Sequence, residues 1–192
     1  LSTTYNIYAD LHLFGPYETE MPIINRGSKT IALGDIYELK SCRKKDVPKV
    51  VEARRNLLNL LGDRYLFGNH ELAQGRINFI DYTNNTLFTH GDYVFWSDKK
   101  ATKFRNGKNG SSTIKRFFLG IVHNKLRPLV PKWFLWPWEK KRAYIFAKKH
   151  NCTTIVCGHL HPLKTIDTTY KDVRVIVVPR GKTKILVFDR RR

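Results

Sequence analysis

Seven short apolar runs, most of them closed by a cluster of Asp, Asn, Gly and His, constrain this chain more than any other feature. The runs are Tyr5–Ala9, Thr30–Leu33, Arg64–Phe67, Thr86–Thr89, Thr153–Cys157, Val173–Val178 and Lys184–Phe188. Their length and their content of Ile, Val, Tyr and Phe predict strands, several buried on both faces. Between the second and third, Val47–Leu61 changes period: Val47, Val50, Val51, Arg54, Leu57, Leu58 and Leu61 follow helical spacing, with Arg54 the one polar member. Pro48 suits a first helical turn and Gly62 a helix end. Strands interleaved with helix over 192 residues predict an α/β or α+β core built on sheets.

Composition fits a single domain, 1–192, with one insertion. Apolar residues are 42% and charged residues 27%, which excludes a disordered chain. The net charge of +19 excludes a neutral surface and calls for a polyanionic partner. Most of it sits in Trp96–His150, where 15 Lys or Arg meet two acidic residues and all four tryptophans, Trp96, Trp133, Trp136 and Trp138, are found. Helices are expected there at Ser112–Lys125 and Glu139–His150, joined through Pro128, Pro131 and Pro137, and the tail Arg190–Arg192 is expected to be mobile. No apolar run approaches the roughly 18 residues of a membrane span, and the first residues lack the basic start and apolar stretch of a secretory leader. Cys42, Cys152 and Cys157 have no C-x-x-C spacing, which predicts free thiols in a reducing, cytoplasmic setting.

The polar clusters carry the chemistry. They are Asp10-Leu11-His12, Gly34-Asp35, Gly68-Asn69-His70-Glu71, His90-Gly91-Asp92 and Gly158-His159-Leu160-His161. Loops at strand ends commonly build sites on a rigid scaffold. In extended chain, residues i and i+2 project to one side, so Asp10 with His12 and His159 with His161 form two chelating pairs. With Asp35, Asn69 and His90 they supply oxygen and imidazole donors without thiolate, a set suited to Mn, Fe, Zn, Ni or Co in a two-metal site and not to structural zinc. Five of the seven histidines lie in these clusters. His123 and His150 fall in the basic segment and read as solvated or packed.

Taken in order, ADLH, GDIYE, GNHE, THGD and CGHLH resemble the calcineurin-like metallophosphoesterases, whose pattern is D-x-H, G-D-x-x-D, G-N-H-D/E, a further His in an H-G-D setting, and G-H-x-H. The match spans Asp10 to His161, and the one departure is Glu38 where an Asp often closes the second motif. The resemblance implies a four-layer α/β/β/α sandwich and two divalent cations, manganese foremost. It implies that Asp10, His12 and His161 bind the first ion, that Asn69, His90 and His159 bind the second, and that Asp35 bridges them. It also implies that His70 is catalytic, close to the scissile phosphate, and that Asp92 and Glu71 orient imidazoles or loop amides. The implied reaction is hydrolysis of a phosphodiester, pyrophosphate or phosphomonoester by a metal-bridged hydroxide.

A helical insertion after H-G-D is similar to that of the UDP-2,3-diacylglucosamine diphosphatases, which cleave a nucleotide-linked lipid at the inner face of a membrane. Their third motif typically has Arg where this chain has His70. Three readings of the 96–150 segment stay open: an element seated on anionic membrane, a groove for nucleic acid with aromatic stacking, or a cap packed on the core with solvated Lys and Arg. A nuclease, a protein phosphatase and a non-catalytic metal-binding scaffold are the alternative functions.

Overall fold

The computed structural model describes residues 2–14, 29–71, 75–106 and 135–188. Two mixed sheets form the core of an α/β fold. The first has the order β2-β1-β8, with β1 at Ser2–Ala9, β2 at Thr30–Ala32 and β8 at Gly181–Phe188. In it β1 runs parallel to β2 and antiparallel to β8. The second has the order β3-β4-β5-β7-β6, with β3 at Asn78–Asp81, β4 at Thr86–Thr89, β5 at Thr154–Cys157, β6 at Ile166–Tyr170 and β7 at Val173–Val177. Its central strands β4, β5 and β7 are mutually parallel.

Alternation along β1 decides which face meets what. Tyr5, Ile7 and Ala9 join Ile31, Phe88, Val156, Ile176 and Ile185 in the core between the sheets. On the other face of the first sheet, Tyr8 and Ala32 pack with Val50, Leu57 and Leu61 of helix α1, which spans Val47–Leu61 as its spacing predicts. Arg54, the polar member of that stripe, has its own partner: its guanidinium donates to the Glu71 carbonyl at 3.1 Å. Gly62 ends the helix at a φ of 57°, a left-handed conformation that costs glycine least.

Beyond the second sheet, Ala143 and Ala147 of a helix at Pro137–Lys149 pack on Ile155, Val175 and Val177. Two short helices, α2 at Asp92–Phe95 and α3 at Asp98–Arg105, follow β4 directly, so the Pro137–Lys149 helix is numbered α4 here. Its expected span of Glu139–His150 begins two residues earlier, because Pro137 suits the first turn and the Glu139 carboxylate accepts from the Trp136 amide at 2.9 Å.

Three strand expectations need correction. Tyr65 makes only an isolated bridge to Ala32, because a 3-10 turn at Gly62–Arg64 precedes it and the Gly68 loop follows. The strands β3 and β6 were not expected. They form the two edges of the larger sheet and are partly exposed, so neither carries a continuous apolar run. The helix expected at Ser112–Lys125, Trp133, His123 and the Arg190–Arg192 tail lie outside the described residues. Among the described residues no helix is long and apolar enough to cross a membrane. All three cysteines are free, Cys152 and Cys157 buried and Cys42 half-buried.

Candidate metal centre

The parallel strands β1, β2, β4 and β5 carry the polar clusters at their C-terminal ends. Asp10 and His12 follow β1, Asp35 follows β2, His90 follows β4, and His159 and His161 follow β5. Asn69 and His70 leave the chain that bridges to β2 at Tyr65. The loops from the two sheets are tied together directly. The His159 amide donates to Asp10 Oδ2 at 2.9 Å, and His90 Nδ1 lies 3.0 Å from the Leu33 carbonyl.

Every residue that the motifs single out as a ligand falls in this one region. Asp10, His12 and His161 present donor atoms to a common point, as do Asp10, Asp35 and His90, and also His12, Asp35 and His70. His161 Nε2 is 2.8 Å from Asp10 Oδ1. His90 Nε2 is 3.0 Å from Asn69 Oδ1, 3.2 Å from Asp35 Oδ2 and 3.2 Å from His159 Nδ1.

The chelating pairs do not converge through extended backbone. Asp10, His12, His159 and His161 all have φ between 47° and 66°, and Asp35 has a φ of 51°. Non-glycine residues seldom take this left-handed region, and such strain clusters at functional sites. Backbone hydrogen bonds hold the loops there: the Asp10 amide to the Gly34 carbonyl, and the His12 amide to the Asp35 carbonyl. The motif glycines are needed for close approach. A Cβ on Gly68 would stand 2.0 Å from Asp35 Oδ1, and one on Gly158 would stand 2.4 Å from Asp10 Oδ2.

The surroundings of each side chain set its charge. Asp35 is buried, which disfavours its anion, yet His90, His70 and His12 hold its carboxyl well below the usual range. Burial likewise opposes charge on His90, but Asp35 outweighs it and lifts the imidazole to about 10. Burial and the charge of His90 push His159 the other way, down to about 3. Glu38 accepts from the amides of Lys40 and Ser41, while its other oxygen lies 3.0 Å from His12 Nδ1 and 2.8 Å from His70 Nδ1. Burial opposes ionisation of Glu38, but these two imidazoles win and bring it down to about 2. Glu38 and Asp35 raise His70 against the effect of burial.

These residues fit a pair of divalent cations. His90 Nδ1 faces the Leu33 carbonyl and can keep its proton there, so a cation replacing the proton on Nε2 would be met by that nitrogen, two oxygens and a second imidazole nitrogen. Lone pairs converge in this way around a cation. His12 Nε2 is buried with no hydrogen-bond partner, while its Nδ1 is held by Glu38, the usual arrangement of a ligating imidazole.

Residues around the site divide between the expected and the unexpected. Glu71 orients loop amides, accepting from Gly68 at 2.9 Å and Tyr37 at 3.3 Å, and it also accepts from the Tyr65 hydroxyl. Asp92 instead takes the guanidinium of Arg105 through two bonds of 2.7 and 2.8 Å, and Arg105 also donates to the Phe67 carbonyl at 2.8 Å. Arg105, counted in the sequence as part of the basic 96–150 segment, is buried. Trp96 packs edge-on to His159 with centroids 4.5 Å apart, and Phe104 lies 5.6 Å from His70. Nothing in the spacing of Trp96 and Phe104 marks them; their position directly after H-G-D is the one available signal.

Among solved structures the chain is similar to an uncharacterized protein of Streptococcus pneumoniae TIGR4, described as a predicted phosphoesterase. Identity is 13% and the TM-score 0.46, covering 98% of this chain and 85% of that one. It is also similar to Vacuolar Protein Sorting 29 from Cryptosporidium parvum, with 14% identity and a TM-score of 0.38 over 94% of this chain and 74% of that one. No curated protein matches it. The calcineurin-like phosphoesterase family matches residues 5–163, which run from β1 past the second chelating pair, His159 and His161. On that match over most of its length, the chain belongs to the calcineurin-like phosphoesterases.

Proposed function

We propose that this chain is a dinuclear metal-dependent phosphoesterase, one domain over 1–192 on the family's four-layer sandwich, with a basic aromatic cap at 96–150. In this reading Asp10, His12 and His161 would hold one divalent cation, Asn69, His90 and His159 would hold the other, and Asp35 would serve both. The donor set contains no thiolate, which suits manganese first and Fe, Zn, Ni or Co after it. When bound, such cations would offset phosphate charge and acidify a bound water.

The chain's own residues position and move protons. Glu38 holds His12 and His70 through their Nδ1 atoms, which keeps the opposite nitrogen of each ring free for the site. With its affinity for a proton raised, His70 can steady charge on the phosphate or protonate the leaving oxygen. General acid help of this kind is worth roughly 10²–10⁴-fold. The observation that carries the reading is the position of His90 Nε2, buried and within 3.2 Å of Asn69 Oδ1, Asp35 Oδ2 and His159 Nδ1.

The test is metal content together with hydrolysis of bis-p-nitrophenyl phosphate and p-nitrophenyl phosphate in added manganese. Asp35→Asn should nearly abolish turnover and bound metal, and His70→Ala should retain metal but slow the reaction. Survival of both metal and rate in Asp35→Asn would remove the two-metal assignment. The diester-to-monoester ratio then sorts phosphodiesterase from phosphatase.

For the cap, contact with an anionic membrane face is the reading favoured over nucleic acid. On α4, Trp138 and Ile145 are both more than half exposed, among Lys141, Arg142, Lys148 and Lys149. Exposed Trp and Ile beside clustered Lys and Arg suit an interface of headgroups and acyl chains.

A further inference from the structure

Arg54 is the one polar member of the apolar stripe of α1, and it is half-buried there. Helix propensity does not call for it, since Leu serves an α-helix equally well. A polar group taken from water needs a partner, and the partner of Arg54 is not on its own helix. Its Nη1 donates to the Glu71 carbonyl at 3.1 Å, and its Cζ lies 5.7 Å from the Phe67 ring centroid. Arg54 therefore meets both ends of the 67–71 stretch, which carries Asn69 and His70.

This contact is one side of a closed circuit. The amide of buried Tyr37 donates to Glu71 Oε1 at 3.3 Å, and the Tyr37 hydroxyl donates to the Ala53 carbonyl at 3.1 Å. Ala53 precedes Arg54 in the chain, so the path Arg54–Glu71–Tyr37–Ala53 returns to its start. It locks three segments together: α1, the 35–38 segment and the 67–71 loop. Asp35 and Glu38 lie on either side of Tyr37, and Asn69 and His70 precede Glu71. The two site segments are sewn to each other as well. The His70 amide donates to Asp35 Oδ1 at 2.7 Å, and the Leu39 amide donates to the His70 carbonyl at 3.2 Å.

The circuit stands behind the contacts that aim the site. Asn69 Oδ1 lies 3.0 Å from His90 Nε2, and His70 Nδ1 lies 2.8 Å from Glu38 Oε2. The three hydrogen bonds of the circuit involve neither the Asn69 nor the His70 side chain, so any effect on them runs through the backbone. Displacement by an ångström from a change away from the chemistry can cost about 10²-fold in rate.

We infer that Arg54 and Tyr37 are positioning residues of the proposed metal centre, setting the 67–71 loop against Asp35 and Glu38 and so fixing where Asn69 and His70 stand. This rests on the phosphoesterase reading above. It also accounts for a guanidinium on the apolar stripe of α1: the helix serves as the outer brace of the site.

The test uses the full chain, manganese, and whichever of bis-p-nitrophenyl phosphate and p-nitrophenyl phosphate the unsubstituted protein hydrolyses faster. Arg54→Met keeps an apolar stem and removes the donor, and Tyr37→Phe removes only the bond to Ala53. Each should lower kcat about 10–100-fold and weaken manganese binding about tenfold by calorimetry. KM should change little. The double variant should lose little more than the worse single one, because either change opens the same circuit. Arg54→Lys, which restores a donor, should recover part of kcat. Leu61→Ala loosens the same helix roughly 10 Å further along and leaves the circuit closed, so it should lower Tm without these losses. Losses in kcat and manganese binding that merely match those of Leu61→Ala at an equal fall in Tm overturn the inference and leave the phosphoesterase reading standing. Should Arg54→Met fail to fold, Tyr37→Phe against Leu61→Ala decides by the same measure. Absence of both manganese binding and hydrolysis in the unsubstituted protein removes the inference and the reading together.

Discussion

Glu38 stands where the family pattern often has Asp, and one of its oxygens serves both His12 and His70. Those contacts lower its pKa from 4.5 to about 2. A depressed carboxyl stabilises the fold above its unfolded value, and that contribution is lost as pH falls from about 4.5 through about 2. Glu38→Gln should therefore lose part of the acid dependence of stability in that window, measured as denaturation midpoints across pH. Turnover should also fall by about 10–100-fold, because the imidazoles lose their anchor. An unchanged acid profile would mean that Glu38 is not held as an anion by these rings. At this scale the sequence was informative because few residue types can ligate a hard cation, so Asp10, His12, Asp35, Asn69, His90, His159 and His161 stand out. Their backbone conformation did not: left-handed φ values at five of them come from loops pinned between two sheets, and local sequence does not report that.

Among the elements, α3 is the one whose role the sequence concealed. Its last residue, Arg105, neutralises the buried Asp92 of the H-G-D motif and reaches the Phe67 carbonyl beside the Gly68 loop. Removing one partner of a buried ion pair strands the other, at a cost of about 3–5 kcal/mol. Arg105→Ala should show that loss in urea denaturation, and a loss below about 1 kcal/mol would place the pair among the weak surface kind. The helix α4 makes a different prediction. Sedimentation with vesicles containing anionic lipid should retain the protein at low salt and release it as salt rises, and Trp138→Ala with Ile145→Ala should weaken retention. Equal indifference to anionic and neutral vesicles would leave α4 as a solvated outer layer. The strands β3 and β6 were missed for a plain reason: an edge strand needs only one covered side, and its residues here are mostly half-buried or exposed.

The whole molecule places the proposed centre where its two sheets meet. Asp10, His12, Asp35 and Asn69 belong to the first sheet's loops, and His90, His159 and His161 to those of the second. Cations held there would bind the folded chain and not the unfolded one. Manganese at a hundredfold excess over its Kd should add about 2.7 kcal/mol. For a chain of this size that is a rise of roughly 5–10 °C in Tm. Chelation should reverse it, and a Tm indifferent to manganese would argue against any cation shared between the sheets. The net charge of +19 also divides at this scale: part of the basic segment is solvated, while Arg105 is internal and Lys100 is held on Trp96 beside the site. The sequence by itself determined the α/β class, helix α1 and the family, because apolar period and metal-ligand chemistry are both written in short stretches of chain. Only the tertiary structure decided how the ligand loops bend, that Arg105 is buried, and that Trp96 and Phe104 link His70 to His159 beside the site. Those features depend on contacts between segments far apart in the chain, and no local pattern encodes a partner that distant.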